Sequence, residues 1–346
     1  VVYVADDFPA DFGAPAADID NFPAAFYEDV SGDGVKDLLV GVNNADVASN
    51  RNSSYYYENI GENDAPIFTF VEDNFIQGQT IDFGETSAPA VTDINGDGLI
   101  DIVLGSRGEF LGLTEFKPRI SLYINNGTQE NPSFILQDEE WIDLDQFGIQ
   151  QFPDPTFGDI DTDGDLDLLI GDNTGLIYYF ENTAGPGNEI ALSFNGVLTA
   201  GGEDLDVGQK SSPQLYDLNN DGLLDLVVGE RNGNINYYQN TGSPNAPVFE
   251  FVTDTLGGLT TLEEGIFVGS SCPHFFVTNG TLYLAAGSES GRVHLYDQIE
   301  NNLDGDFNLL TLDGFDIYTG GMNNTILLNL NNDIYPDIIA GGIGGG

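Results

Sequence analysis

The chain has 346 residues and a formal net charge of -49, from eight Lys and Arg residues against 57 Asp and Glu residues. This charge repels nucleic-acid phosphates and anionic membrane surfaces, which excludes a nucleic-acid-binding protein. With 23 Phe, 15 Tyr and 44 Gly residues, the chain has the apolar side chains for a core and the glycines for many tight turns. Neither a disordered chain nor a small disulfide-dependent domain is indicated.

The first apolar segment, residues 1–4, predicts a short outer strand of a partial repeat. No apolar run approaches the ~18 residues of a membrane span, so membrane insertion is not expected. Cys272 is the single cysteine, which excludes an intrachain disulfide, and its apolar surroundings favour a buried, inert thiol over a nucleophile.

A nine-residue acidic motif recurs along the chain, and each copy runs directly into an apolar segment. Its most complete copy covers residues 159–167 and precedes Leu168-Leu169-Ile170-Gly171. Oxygen-bearing side chains at positions one, three, five and nine, with Gly at position six, allow a short turn to wrap around one hard cation such as Ca²⁺. The copies begin at residues 29, 93, 159 and 217, at intervals of 64, 66 and 58 residues.

We predict Ca²⁺ in about four loops, with the residue at position seven contributing its backbone carbonyl. The predicted ligands are Asp29, Ser31, Asp33, Val35 and Asp37; Asp93, Asn95, Asp97, Leu99 and Asp101; Asp159, Asp161, Asp163, Asp165 and Asp167; and Asp217, Asn219, Asp221, Leu223 and Asp225. By charge count, the third loop is expected to be the strongest site. A fifth site is left open at an eroded copy with Ile334 in place of the glycine, formed by Asn329, Asn331, Asp333, Tyr335 and Asp337.

This motif has two other interpretations. An isolated copy could be an ordinary β-turn, but several in-phase copies that each enter an apolar strand disfavour that interpretation. An EF-hand shares the opening spacing but requires a bidentate Glu at position twelve and flanking helices. Position twelve is apolar in all four loops, where the residues are Val40, Leu104, Ile170 and Val228.

The segments between the loops predict four short strands per repeat. Each carries an aromatic strand that ends in Asn, then a turn and a further strand, and Pro89, Pro155 and Pro213 stand four residues before their loops. Repeats of this length without a helical pattern predict an all-β fold, a β-propeller of four-stranded blades. Six blades are visible, and the last is unfinished. The predicted single domain, 1–346, comprises an outer strand at 1–15 and blades at 16–81, 82–148, 149–206, 207–263, 264–312 and 313–346.

The fifth of these blades departs from the pattern. Asn279-Gly280 stands where the metal loop is expected, which predicts a tight hairpin without calcium.

The loops, together with Phe83-Gly84, Ala88-Pro89 and Phe157-Gly158, resemble the FG-GAP or VCBS repeat of integrin α-subunit heads and bacterial secreted proteins. The amino-acid sequences of the blades are most similar to those of bacterial surface proteins that end in a removable secretion-sorting domain. This resemblance implies seven blades in the complete ring, extracellular placement and calcium in the loops. It also implies a type 9 secretion substrate that meets the secretion machinery through a C-terminal domain outside this chain.

The resemblance identifies a scaffold, and family members differ in what they bind. The leading hypothesis is a cell-surface adhesion module for a protein or glycan. An architectural or passenger module of a secreted assembly is one alternative, and an enzyme similar to polysaccharide lyases is another.

The enzyme hypothesis has little support in the sequence. His274 and His294 are predicted to be structural strand residues, and no Lys has a catalytic context. Arg231 and Arg292, which follow equivalent turns, are predicted to pair with carboxylates rather than with an anionic ligand.

Overall fold

The computed structural model describes residues 24–41, 54–75, 84–112, 115–331, 333 and 335–343. The predicted strand at residues 1–4 and loop residue Ile334 lie outside this part of the chain. The chain forms two compact units, Val1–Gly84 with Glu109–Phe116, and Glu85–Gly108 with Lys117–Gly346. Each unit is described by itself, and the prediction of one domain over 1–346 stays a prediction.

Within the first unit, residues 24–41 and 54–75 form one antiparallel sheet with strands in chain order. Its strands are β1 (Ala24–Glu28), β2 (Asp37–Gly41), β3 (Ser54–Asn59) and β4 (Phe68–Glu72). Leu38, Val40, Tyr57 and Phe68 form its small core. Strand β1 is mostly exposed, so its apolar area contributes little to that core.

The second unit contains five sheets, of which four are built from consecutive antiparallel strands and the third also contains one parallel pair. The first sheet comprises β5 (Glu85–Thr92), β6 (Asp101–Gly112), β7 (Glu115–Asn125) and β8 (Phe134–Asp138). The one-turn helix α1 (Leu144–Phe147) follows it. The second sheet comprises β9 (Asp154–Gly158), β10 (Asp167–Gly171), β11 (Ile177–Asn182) and β12 (Leu192–Val197). The third comprises β13 (Thr199–Ala200), β14 (Glu203–Asp204), β15 (Ser212–Tyr216), β16 (Asp225–Gly229), β17 (Ile235–Asn240) and β18 (Phe249–Thr253).

The remaining sheets have four and two strands. They comprise β19 (Cys272–Thr278), β20 (Thr281–Gly287), β21 (Val293–Asp297) and β22 (Asn308–Thr311), and β23 (Asn324–Leu328) with β24 (Asp337–Gly341). Short 3-10 turns occur at Leu256–Gly258 and Gly314–Asp316. Within the described residues no helix has the length and apolarity to cross a membrane.

These sheets confirm the predicted all-β fold, a β-propeller with six visible blades. In the second unit the inner strands β5, β9, β15, β19 and β23 follow one another around a central channel, and β23 lies beside β5. The amide of Ser87 donates to the carbonyl of Gly342 at 3.3 Å, which joins the last sheet of this circuit to the first. The circuit of the second unit therefore closes with five inner strands, so the predicted ring of seven blades is wrong for this unit.

The fully apolar segments after the acidic loops form second strands that are covered on both faces. In β10, Leu168 and Ile170 pack in one hydrophobic cluster, and Leu169 packs in another. All three side chains are fully buried, as expected for strands sandwiched between neighbouring blades. An alternating pattern would leave one of these faces in contact with water.

Each inner strand carries a proline near its start, except β23. Pro155, Pro213 and Pro273 are the second residues of their strands, as predicted. Pro89 instead lies inside β5, because that strand pairs with the long β6 as far back as Glu85.

The second strands end in glycines that touch the backbone of the next sheet. A Cβ built on Gly229 would lie 2.0 Å from the Ser271 carbonyl oxygen, so even Ala requires the two sheets to separate. We expect Gly229→Ala to cost about 1–3 kcal/mol of stability through overpacking, measured by thermal unfolding. The matched control is Gly41→Ala in β2, where the nearest atom of the described residues to a new Cβ is the Ala24 carbonyl oxygen at 4.0 Å. Equal melting temperatures for the two variants would contradict this explanation.

Candidate calcium loops and the pore mouth

The acidic loops connect the first strand of a sheet to the second, as predicted. In each of the first four, the carboxylate at position one accepts backbone amides from within the loop. Asp93, for example, accepts the amides of Gly96 and Gly98, each at 2.8 Å. The position-five carboxylate accepts the amide of position seven, as from Leu99 to Asp97 at 2.8 Å. These bonds draw the carboxylates around the turn without using all of their lone pairs.

The aspartate at position nine has a different environment from the other loop carboxylates. It opens the second strand, and Asp37, Asp101, Asp167 and Asp225 are all buried. One oxygen of Asp225 accepts the Leu218 amide at 3.3 Å and the Tyr237 hydroxyl at 2.9 Å, and the other accepts the Asn240 amide at 2.9 Å. Position nine therefore connects the loop to the third strand through the protein's own hydrogen bonds.

An asparagine at the end of the third strand completes this connection. Asn240 accepts the amides of Gly242 and Val248, both at 3.1 Å, and donates to the Leu224 carbonyl at 3.2 Å. Equivalent acceptor roles belong to Asn59, Asn125 and Asn182. The recurring Asn is visible in the sequence only as the end of an aromatic strand, and its pairing with position nine was not predicted.

The third loop has the geometry most suited to a cation. Asp159, Asp161 and Asp163 each place a carboxylate oxygen within 4.8 Å of the others, the one such group of three or more His, Cys or acidic side chains among the described residues. Asp167 lies outside this group, and its oxygens accept the amides of Ile160 at 3.1 Å and Asn182 at 2.8 Å. Burial, with the nearby charge of Asp161 and Asp165, raises the pKa of Asp167 to about 7.

Asp165 adds an orphaned oxygen to this loop. The Asp165 side chain is buried, its Oδ2 accepts the Gly185 amide at 2.6 Å, and its Oδ1 has no hydrogen-bond partner. Burial, together with the negative charge of Asp163 and Asp161, raises the pKa of Asp165. The donor set of Asp159, Asp161 and Asp163, all oxygens on close and mutually repelling carboxylates, fits Ca²⁺. Calcium binding by this and the other predicted ligands stays a prediction.

The eroded copy adopts only part of the loop geometry. Asp337 accepts the Leu330 amide at 2.8 Å, and Asp333 accepts the Tyr335 amide at 2.7 Å. Asn329, at position one, instead donates to the Asp333 carbonyl at 2.7 Å. In this arrangement position one turns its amide nitrogen, which is not a calcium ligand, into the turn.

The hairpin predicted for the fifth blade is present. Asn279 and Gly280 join β19 to β20 with φ of 50° and 75°, the positive values that a two-residue type I′ turn requires.

At the end of the inner strands opposite the acidic loops, side chains from all five strands line the central channel. In the four strands with an inner proline, the residue one place before it lies in the first layer and the residue one place after it lies in the second; β23 contributes the residues on either side of Thr325. The first layer comprises Ala88, Asp154, Ser212, Cys272 and Asn324, and the second comprises Ala90, Thr156, Gln214, His274 and Ile326. Across the small Ala88, Asn324 donates to Asp154 at 2.9 Å.

We call the cavity above the first layer the pore mouth; it is lined by Phe152, Asp154, Lys210, Ser270, Cys272 and Asn324. Its volume is about 50 Å³. Burial raises the pKa of Asp154 to about 6 and that of the Cys272 thiol to about 12, which agrees with an inert cysteine. Desolvation lowers the pKa of Lys210. The sequence suggests no role for Lys210, because nothing local places it beside Asp154.

His274, in the second layer, is structural as predicted. Its Nε2 lies 3.0 Å from the Leu327 carbonyl oxygen and its Nδ1 lies 3.4 Å from the Gln214 amide nitrogen. This pair of contacts fits a neutral ring that donates from Nε2 and accepts at Nδ1. Desolvation lowers the pKa of His274 from 6.5 to about 4.

We therefore expect the stability that depends on His274 to decline as pH falls. Between pH 6.5 and 4 the unfolded chain binds a proton that the folded imidazole does not, which costs the fold about 3 kcal/mol. The measurement is the unfolding free energy of the wild type minus that of His274→Gln at several pH values. A difference that stays constant from pH 7 to pH 4 would show that the ring is not held neutral.

The remaining predicted surface groups are partly confirmed. Arg292 pairs with Glu263 and Asp313, each at 3.1 Å, as predicted. The prediction for Arg231 was wrong among the described residues: its guanidinium donates at 2.7 Å to the neutral Gln209 side chain, the polar group nearest to its exposed position. His294 lies buried on a strand face, 3.2 Å from Glu263.

Comparisons with known proteins place these features in context. Residues 93–170, which include the second and third loops, match a family model described as an FG-GAP-like repeat. A solved structure of an Agrocybe aegerita lectin, described as recognising non-reducing terminal N-acetylglucosamine, aligns with 93% of this chain and 75% of its own at 18% identity and a TM-score of 0.38. The fold assignment rests on the sheets described above.

Proposed function

We propose that this protein is a secreted, calcium-stabilised β-propeller that acts as a cell-surface adhesion module for a protein or glycan partner. The observation that carries the proposal is that the acidic loops and the cavity lie at opposite ends of the inner strands. The acidic loops lie at one end, and the cavity beside Lys210 lies at the other. A five-residue strand such as β9 separates these ends by about 17 Å, so a partner can bind without displacing the loop ion.

Calcium supplies no chemistry in this proposal beyond charge neutralisation. Asp159, Asp161 and Asp163 would hold the ion, and its charge would offset their mutual repulsion. Loops of this type in extracellular modules bind calcium at about 10⁻⁴–10⁻³ M, concentrations that favour a location outside the cell.

Enzymatic activity is not part of the proposal. His274 and His294 both have structural hydrogen-bond partners, and the pKa of the Cys272 thiol is too high for a nucleophile near neutral pH. The lyase-like alternative would require a base with room for a sugar acid, and the cavity beside Lys210 is small.

The test is a glycan array and a pull-down on live cells, both with the full chain in calcium. We expect retention by at least one sugar or surface protein, with loss of binding when EGTA unfolds the loops. Blank results in both assays would count against an adhesion role. Ordered self-association in size-exclusion chromatography with both assays blank would favour the architectural alternative.

A further inference from the structure

A second cavity lies at the other end of the inner strands from the pore mouth, where the acidic motif is lost or eroded. One side is lined by the end of β19 and its hairpin, residues 274–279, and the other by β23 and the eroded loop, residues 327–329, 335 and 336. We call it the loop-end cavity. None of the first four acidic loops contributes a residue to this lining, so a ligand there would displace no ion from them.

The loop-end cavity has the size and the fixed walls of a small-molecule site. Its volume is about 430 Å³, within the range of about 300–1,000 Å³ that is usual for such sites, whereas the pore mouth has about 50 Å³. The two strands that flank it are tied together, because His274 Nε2 lies 3.0 Å from the Leu327 carbonyl oxygen. Phe276, in the same wall, is buried and stacks on Tyr283 with ring centroids 5.5 Å apart. The cavity is therefore preformed.

The charges around the loop-end cavity favour a neutral ligand. Among the described residues, its lining includes no Asp, Glu, Lys or Arg. Asp333, in the eroded loop, already accepts the Tyr335 amide at 2.7 Å and the Asn331 side-chain amide at 3.2 Å. A cation that lost its water here would find no carboxylate in the lining, and an anion would be repelled by the net charge of -49.

Polar side chains of the lining have hydrogen-bonding capacity left for a ligand. The Asn279 amide and the hydroxyls of Thr278 and Tyr335 make no hydrogen bond to other described residues. Asn329 donates from its side-chain nitrogen to the Asp333 carbonyl at 2.7 Å, which leaves its Oδ1 as an acceptor. Amides and hydroxyls together both donate and accept, as adjacent sugar hydroxyls require. A purely apolar ligand would remove water from these groups without replacing its hydrogen bonds.

Apolar surface in the same lining suits the C–H side of a sugar ring. Tyr335 is 69% exposed and Val277 is 58% exposed, and both line the cavity. A tyrosine ring offers an apolar face for packing while its hydroxyl stays available for a hydrogen bond. An aromatic face beside uncharged amides and hydroxyls therefore indicates a neutral sugar rather than a charged or a purely apolar ligand.

We propose that the loop-end cavity binds a neutral pyranose sugar, with the ring against Tyr335 and the hydroxyls at Asn279 and Asn329. This site goes beyond the adhesion role above, because it is separate from the pore mouth and does not depend on what the pore mouth binds.

The test is saturation-transfer NMR with the full chain in calcium and about 0.15 M salt, which screens the long-range field of the acidic surface. The probes are the methyl glycosides of glucose, galactose, mannose and N-acetylglucosamine, with the methyl glycosides of glucuronic and galacturonic acid as anionic comparators. We expect transfer to at least one neutral glycoside and weaker transfer to the acids.

Tyr335→Ala removes the exposed ring and should weaken binding several-fold while leaving the melting temperature unchanged. Its matched control is Tyr318→Ala, because Tyr318 is also 69% exposed and lies outside the lining. This control should change neither property. Asn279→Asp keeps a residue that the tight turn before Gly280 accepts, but it replaces an amide donor with a negative charge. We expect it to weaken binding about three- to tenfold, the effect of one neutral hydrogen bond.

Absence of transfer to every neutral glycoside, equal or stronger transfer to the acids, or equal affinities of the Tyr335→Ala and Tyr318→Ala variants would overturn the proposal. A positive glycan array with equal binding by these variants would reject this site and leave the adhesion role standing.

Discussion

Replacing Asp225 with Ala is expected to lower the free energy of unfolding by about 4 kcal/mol. The substitution leaves the amides of Leu218 and Asn240 and the hydroxyl of Tyr237 without their acceptor. Each orphaned buried donor costs about 1–3 kcal/mol, and the buried carboxylate's own desolvation cost is recovered in part. Urea unfolding in EDTA measures the effect without any contribution from calcium.

The matched control for this variant is Asp217→Ala, at position one of the same loop. Asp217 accepts the amides of Asp221 and Gly222 at 3.1 and 3.0 Å, but these groups are exposed and water can replace the carboxylate. In EDTA we expect this control to cost no more than about 1 kcal/mol. If the two variants were equally stable without calcium, position nine would act through the ion and not through the strands.

Removing calcium is expected to lower the melting temperature by about 10 °C or more. Ion at tenfold over its dissociation constant contributes about 1.4 kcal/mol per site, so four occupied loops contribute about 6 kcal/mol. The physical source is relief of carboxylate repulsion, which is greatest where Asp159, Asp161 and Asp163 converge. Melting curves recorded with calcium and with EGTA measure the shift, and curves that superimpose would contradict a structural role for calcium.

A variant comparison assigns this shift to the loops. Asp161→Ala removes the position-three ligand of the third loop and should reduce the calcium-dependent shift by about a quarter. Asp304→Ala removes an exposed carboxylate outside the loops and should leave the shift intact. Equal losses in both variants would indicate general screening of the acidic surface by the divalent ion.

Much of the fold could be predicted because its determinants are local. The acidic loop, the apolar second strand and the aromatic third strand each occupy fewer than ten consecutive residues, and their recurrence at intervals of 64, 66 and 58 residues indicated blades. The hairpin at Asn279-Gly280 could be predicted for the same reason, because that dipeptide alone favours one turn type. The charge count also identified the third loop as the one whose carboxylates the structure brings together.

The pore mouth could not be predicted because it is assembled from residues far apart in sequence. Asp154 meets Asn324 across 170 positions, and Lys210 meets Met322 across 112. The recurring proline marks the position of the first layer, but the side chains there are Ala, Asp, Ser, Cys and Asn, so no shared residue type indicates a function. The role of Asn240 was missed for a different reason: its partner is a buried carboxylate that the sequence assigned to metal alone.

The tight hairpin between β19 and β20 has a consequence for how the chain folds when calcium is scarce. Its seven residue pairs from Cys272 to Thr278 are closed by a two-residue turn that holds no cluster of carboxylates. Ring closure over two residues is fast and independent of ionic conditions. We expect its amides to be the first protected against hydrogen exchange during refolding in EGTA, so that this blade nucleates the second unit and the acidic blades assemble beside it.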